Sequence, residues 1–154
     1  MEVSGMFMPF DQPDGDGRIY KYESIDISEY QHYVNNDAAI GEFYVIDRAA
    51  YLRDKLKISL MDVSHKIIKV EKTKEGIVGI VKLLDTPKGN LVKELLDNGV
   101  NLSIRPRCVG FIDLDKIVHV KKIISFDFVN WFNDSMNPLS YRNKRYKFNK
   151  GDGR

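Results

Sequence analysis

Residues 65–130 read as strand, strand, helix, strand, strand, and that order limits what this chain can become. The stretch "HKIIKVEKTKEGIVGIVKLLD" holds two strand-like runs separated by a charged, glycine-containing turn, the signature of a β-hairpin. It leads directly into "TPKGNLVKELLDNG", where Thr86 is placed to cap a helix, Pro87 to open it and Gly99 to end it. Leu91, Leu95 and Leu96, with Val92, give that helix an apolar stripe. The stripe is expected to bury against strands carrying Ile80, Ile104, Val118 and Phe126. Beyond the helix, "VNLSI" and "CVGFIDL" read as two short strands. "KIVHVKKIISFDFVNWF", rich in β-branched and aromatic residues, reads as a strand pair or one bent strand. Strands do not alternate with helices, so a doubly wound parallel sheet is excluded. The expected fold class is α+β: a mainly antiparallel β-sheet or small barrel with a few packed helices.

The first third of the chain is less periodic. "GMFMPF" has the apolar density of a short strand ended by Pro9, and "DQPDGDGRIY" reads as a loop. "SIDISEYQHYVNN" suggests a short helix capped by Ser24 or Ser28, and "RAAYLRDKL" a helical turn or two. With 154 residues the chain suits one domain, assigned here to residues 1–140, followed by a basic tail at 141–154. That tail carries Arg142, Lys144, Arg145, Lys147, Lys150 and Arg154 against Asp152. The net of +5 leaves −3 for the remainder of a chain whose total is +2. Interleaved with Tyr141, Tyr146 and Phe148, these charges suit nucleic acid, an acidic protein surface, or simply solvent.

Composition excludes several classes. A hydrophobic content of 43% with 30% charged residues is that of a globular chain rather than a disordered one. No apolar run is long enough to span a bilayer, so no membrane partner is expected. The opening "MEVSGMFMPF" lacks a basic leader region and does not read as a signal peptide. Cys108 is the sole cysteine, which rules out an internal disulfide and fits folding in a reducing cytoplasm. His32, His65 and His119 share no metal-ligand spacing, and "DGDG" at 14–17 lacks the other ligands of a calcium loop. No metal or cofactor is therefore expected. Asp85, Asp113, Asp115 and Asp127 border strands and could serve as acids, though no two stand out as a pair.

The order of motifs says more than their residue types. "GMFMPFDQPDGDGRIY", "IGEFYVIDR", "KISLMDVSHKI", "LLDTPKGNLVKELLDNGVNL" and "ISFDFVNWFNDSMNP" resemble, in sequence and spacing, successive motifs of the prohead (head maturation) proteases of tailed bacteriophages. Their fold is similar to that of the herpesvirus assemblins. The resemblance spans about Gly5 to Pro138. It implies a serine nucleophile in a loop reading G-V-x-L-G-I-S-S-R-G-V-G and a histidine base in G-E-L-x-H-P.

Here the corresponding loop reads "GVNLSIRPRCVG" with no gap. Gly99, Val100, Leu102, Ile104, Arg107, Val109 and Gly110 match, while Arg105 and Pro106 fall on the two serines and Val45 falls on the histidine. Valine exchanges no proton and arginine stays protonated, so neither nucleophile nor base remains at those positions. Proline also lacks an N–H for an oxyanion. One fallback exists: Ser103, two residues earlier on the same strand face, with His65 as base. His65, however, falls on the family's separate V-S-H histidine.

The resemblance together with the altered positions implies a non-catalytic virion structural protein. Its expected role is an auxiliary, decoration or minor capsid protein that binds the major capsid protein and other head proteins. It would be assembled in the host cytoplasm, with homo-oligomerisation open. Arg105, Arg107, Arg142, Lys144, Arg145 and Lys147 are the candidate contacts with such partners; Arg105 and Arg107 could equally pair with internal acids such as Asp113. Three alternatives remain: a divergent active protease acting on scaffold and capsid proteins, an internal scaffold or core protein, and a nucleic-acid-binding module using the tail.

Overall fold

The computed structural model describes residues 1–14, 17–44 and 57–130. The "RAAYLRDKL" segment through Leu56, Val45 and the whole basic tail lie outside the described residues. Seven strands form one mixed sheet: β1 (Glu2–Pro9), β2 (Ile19–Tyr20), β3 (Ile40–Tyr44), β4 (Val63–Lys72), β5 (Gly76–Leu83), β6 (Leu102–Ile112) and β7 (Ile117–Asn130). Among the described residues two α-helices accompany it, α1 (Ser28–Asn35) and α2 (Pro87–Asp97). The strands run in the order β1-β5-β4-β3-β7-β2, with β6 on the other side of β7. Four pairings are antiparallel (β1/β5, β3/β4, β4/β5 and β6/β7), while β2 and β3 run parallel to β7. The sheet curls until β1 lies against β6. The α+β expectation is therefore met: the sheet is mixed, with antiparallel pairings in the majority.

The β4–β5 hairpin and the capped helix form where the residues place them. The Thr86 hydroxyl accepts from the Gly89 N–H at 2.9 Å and donates to the Val63 carbonyl at 2.6 Å, joining the start of α2 to β4. The buried face of α2 differs from the expected one. Val92 and Gly89 are buried against β4, β3 and β5, Leu95 and Leu96 are partly buried, and Leu91 is 43% exposed. A stripe four residues wide can rotate about the axis, and the close approach at Gly89 turns Val92 inward. In α1 neither expected serine caps. Ile27 holds the cap position, and the Asp26 carboxylate accepts from both the N–H and the hydroxyl of Ser28.

The two short strands expected around residue 105 are one. β6 runs through Arg105 and Pro106 and pairs with β7 from Leu102↔Asn130 to Ile112↔Val118. Proline is tolerated because of which way its backbone faces. Pro106 lies opposite Phe126, and the Phe126 carbonyl points away from β6, accepting from His65 of β4. The pair is thus a non-hydrogen-bonded one, and the missing N–H of Pro106 would have faced the open side of β6. The long "KIVHVKKIISFDFVN" segment is likewise a single strand, bent by two bulges against β6.

Inside the curl, Phe7, Ile67, Ile77, Val81, Ile104, Phe126 and Phe128 are buried, with the rings of Phe7 and Phe126 5.2 Å apart. Tyr30 of α1 sets its ring edge-on to Phe126 at 5.3 Å and closes one side. Ile104→Ala should therefore cost about 2–5 kcal/mol in urea unfolding, while Leu91→Ala should stay within about 0.5 kcal/mol. Equal losses for the two would mean that α2 presents its leucine stripe to the core after all.

Candidate functional site

Along β6 and β7, paired residues share a face. Ile104, Phe126 and Phe128 point into the core. Ser103, Arg105 and Arg107 lie on the other face with Ser125, Asp127 and Val129 opposite them. That second face holds a buried polar cluster. Asp127 is fully buried and accepts from the Glu42 N–H at 2.9 Å, the Arg107 Nε at 2.9 Å and the Ser125 hydroxyl at 3.0 Å. The Arg107 Nη2 lies 2.8 Å from Glu42 Oε2, and its Nη1 donates to the Lys57 carbonyl at 3.1 Å. Glu42, also fully buried, accepts from the Ser59 N–H at 3.3 Å. One guanidinium therefore gathers β3, β6, β7 and the segment entering β4.

Burial is the largest influence on the Asp127 carboxyl and raises its pKa; the Arg107 charge pulls the other way. Arg107, offered by the sequence as a contact for a partner's carboxylates, spends its donors on the protein's own interior. The acids it meets are Glu42 and Asp127 rather than Asp113. Asp113 instead organises the β6–β7 turn and sits 2.8 Å from His119. Of the odd-numbered row, Ser103 and Arg107 are buried and Arg105 is half-buried, so position 105 is the one that solvent reaches.

His65 fills a gap in the sheet. Among the described residues, β3 pairs with β7 at Phe43↔Phe128 and Tyr44↔Val129. Just before that, the His65 imidazole reaches between the strands and its Nε2 donates to the Phe126 carbonyl at 2.8 Å. Because a carbonyl only accepts, Nε2 carries the proton, and Nδ1 accepts from the Ser64 hydroxyl at 2.7 Å. Gly41 permits this arrangement: a Cβ there would lie 2.3 Å from His65 Nε2 and 2.4 Å from the Phe126 oxygen. Desolvation lowers the His65 pKa from about 6.5 to about 4, outweighing the bond to Phe126.

The fallback pair is not assembled. No hydrogen bond joins Ser103 to His65; the Ser103 hydroxyl is buried without a partner, and both His65 nitrogens are engaged elsewhere. Nor does Cys108 offer a nucleophile, since burial pushes its thiol up to about 12, with Asp127 adding to the effect. Arg105 and Pro106 stand within β6. Val45, Arg142, Lys144, Arg145 and Lys147 lie outside the described residues. Among the described residues, no three His, Cys, Asp or Glu side chains gather as a metal site would require.

No family model and no curated protein matches this sequence. The fold does have a solved counterpart. The structure is similar to that of the bacteriophage T4 capsid assembly protease, with a TM-score of 0.65 and 16% identity over 83% of this chain and 80% of that one. A capsid-protease-like fold is thereby established. At this identity the likeness speaks to the fold alone. The Glu42–Arg107–Asp127 association is what sequence reasoning missed, and its only trace is a charge set inside each apolar run: "GEF", "RPRC" and "SFDF".

Two substitutions separate these roles. Arg107→Met leaves two carboxylates buried without their counter-charge and should cost about 3–5 kcal/mol at pH 7. Protonation relieves that burial, and a carboxyl whose folded pKa is raised favours the fold below the ordinary carboxylate range and loses that contribution as pH rises. The penalty should therefore shrink between pH 7 and pH 4; a loss independent of pH would contradict a buried ionic cluster. His65 acts in the opposite sense. Its stabilising contribution is complete above about pH 6.5 and disappears as pH falls towards 4, a span of about 3 kcal/mol. His65→Gln should flatten that part of the stability–pH curve, whereas an unchanged slope would mean that His65 is charged in the folded protein.

Proposed function

We propose that this chain is a non-catalytic, prohead-protease-like structural protein of a phage head, an auxiliary, decoration or minor capsid protein that binds the major capsid protein. The observation that carries the reading is the occupant of position 105. In an uninterrupted strand whose neighbours Ser103 and Arg107 are buried, the residue that solvent reaches is an arginine, followed by proline. An arginine supplies neither nucleophile nor general base. The serine and histidine that remain nearby are turned inward and separately bonded. The likeness to a capsid assembly protease supports the head context, and on the sequence resemblance the family's serine would fall on Arg105 and its histidine on Val45. A protein of this lineage binds capsid and scaffold proteins in order to cut them, and that affinity can outlive the cutting.

A divergent protease working through Ser103 is the competing reading. It requires whatever covers Ser103 on that face to move aside so that the buried hydroxyl faces substrate, and His65 to be released from Phe126. The purified chain should show no labelling by a fluorophosphonate probe and no cleavage of the scaffold or capsid proteins of its own phage. It should be found full-length in mature particles. Labelling abolished by Ser103→Ala would establish the protease instead, and absence from mature particles would favour an internal scaffold lost during maturation. Binding to nucleic acid that weakens steeply with salt and vanishes on deleting residues 141–154 would assign the tail to that role.

A further inference from the structure

Backbone pairing divides the sheet into two parts. β1, β5, β4 and β3 are joined antiparallel to one another, while β6 and β2 are joined to β7. Among the described residues, ladder pairing crosses between the parts at Phe43↔Phe128 and Tyr44↔Val129. Away from that seam they meet through the Asp11 N–H, which donates to the Tyr20 carbonyl at 2.7 Å, and through α1 and the shared apolar core. The seam itself is completed by ionisable side chains. Gly41 pairs with His65 inside the first part, so the imidazole stands beside the Glu42 N–H. The two reach consecutive residues of β7: His65 Nε2 donates to the Phe126 carbonyl at 2.8 Å, and the Glu42 N–H donates to the Asp127 carboxylate at 2.9 Å. Arg107 of β6 reaches back, 2.8 Å from the Glu42 carboxylate and 3.1 Å from the Lys57 carbonyl. One displacement of β3 and β4 away from β7 would break this row and leave the hairpin within each part paired.

We propose that this seam is an acid-sensitive joint, at which protonation of His65 parts β3 and β4 from β7 while the β4–β5 and β6–β7 ladders stay paired. The imidazole is fully buried, and it touches the Ser64 hydroxyl, the Phe126 carbonyl and the Phe128 ring, edge-on at 4.8 Å. None of these is charged. The seam's carboxylates do not compensate a cation there, because Glu42 and Asp127 are both committed to Arg107. From the other elements packed on the seam come Tyr30 of α1 and Cys108 of β6, which burial keeps protonated. Lys88 of α2 is itself a cation and lies within 4.0 Å of Asp62. A proton added to Nδ1 therefore creates a buried charge without a counter-ion. Opening the seam admits water to the ring and removes that cost.

The direction follows from the closed form's affinity for that proton. Closure holds the His65 pKa near 4 against an ordinary value of about 6.5. Its contribution is complete above about pH 6.5 and is lost as pH falls towards 4. Asp127 answers in the opposite sense. Burial raises its carboxyl pKa, and acid therefore favours the closed seam through this residue. The two groups are distinguishable by sign, and a response towards opening identifies the imidazole.

The test follows amide hydrogen exchange of the intact chain by NMR between about pH 7.5 and pH 5, with and without low urea, and the Glu42 N–H reports the seam. After correction for the intrinsic pH dependence of exchange, its protection should lie below that of the β4–β5 and β6–β7 ladders. It should be nearly independent of urea, because the opening exposes little surface. On acidification it should fall about 30-fold. His65→Gln keeps a donor for Phe126 and an acceptor for Ser64, and in that variant the fall should vanish or reverse. Should His65→Gln not fold, the wild-type ring decides: the His65 proton resonances should titrate over the pH range in which Glu42 loses protection, and a ring that titrates elsewhere contradicts the proposal. A Glu42 amide whose exchange rises with urea in step with the ladders overturns the joint, since global unfolding alone then exposes it. A fall of the same size in His65→Gln, or a Glu42 amide indifferent to pH, overturns the imidazole as its trigger.

Discussion

Arg107, held between the buried carboxylates of Glu42 and Asp127, fixes how this sheet is put together. A one-residue slip of β6 against β7 would turn Arg107 into the apolar interior and bring Ile104 out to meet Asp127. Burying an unpaired guanidinium in a hydrocarbon core, with two carboxylates left behind, costs far more than any alternative apolar pairing returns. The register is thus specified by charge as much as by hydrophobicity. The same side chain also binds the carbonyl of Lys57, and Glu42 the N–H of Ser59, so the chain entering β4 is held by the cluster that sets β6 against β7. Such a cluster contributes more to uniqueness than to net stability, because its desolvation offsets much of its attraction.

His65 solves a different problem in the same neighbourhood. β7 must pair with β2 at its start and β3 at its end, and between those partners the Phe126 carbonyl faces no strand. A buried carbonyl without a donor is costly, and the imidazole supplies that donor from β4 across the space that Gly41 leaves open. That carbonyl fixes the tautomer, and the Ser64 hydroxyl donates to the Nδ1 that remains. This use of the histidine competes with catalysis. To act as a base, His65 would need a free nitrogen aimed at a hydroxyl that solvent or substrate can reach, and freeing one leaves either Phe126 or Ser64 unsatisfied.

Much of the architecture was legible because it depends on local signals. The β4–β5 hairpin carries its turn in "KTKEG", and α2 carries its cap in Thr86-Pro87, so neighbours in sequence determine both. What escaped depends on topology. Glu42, Arg107 and Asp127 are separated by 65 and 20 residues and meet only because β3 and β6 flank β7. No spacing rule connects them. The continuity of β6 was hidden for a related reason. Proline ends a strand or not according to which side its nitrogen faces, and that parity is set by the partner strand. The rotation of α2, which buries Val92 rather than Leu91, follows from the close contact at Gly89, a constraint imposed by the sheet beneath.

These separations explain how a capsid-protease-like fold can persist at low identity. The groups that organise the sheet are Gly41, Glu42, His65, Thr86, Arg107 and Asp127, and their partners are one another, backbone, or the hydroxyls of Ser64 and Ser125. None requires a particular side chain at 105, whose half-buried place on the outer face tolerates a serine or an arginine with the same strand geometry. Chemistry at that position and stability of the fold are therefore nearly independent: exchanging one for the other removes a nucleophile and leaves the register-setting ion cluster intact. The reverse exchange is not symmetrical. A hydroxyl placed at 105 would still leave Pro106 without an N–H and both nitrogens of His65 engaged, so a working serine–histidine pair would need changes at several positions at once.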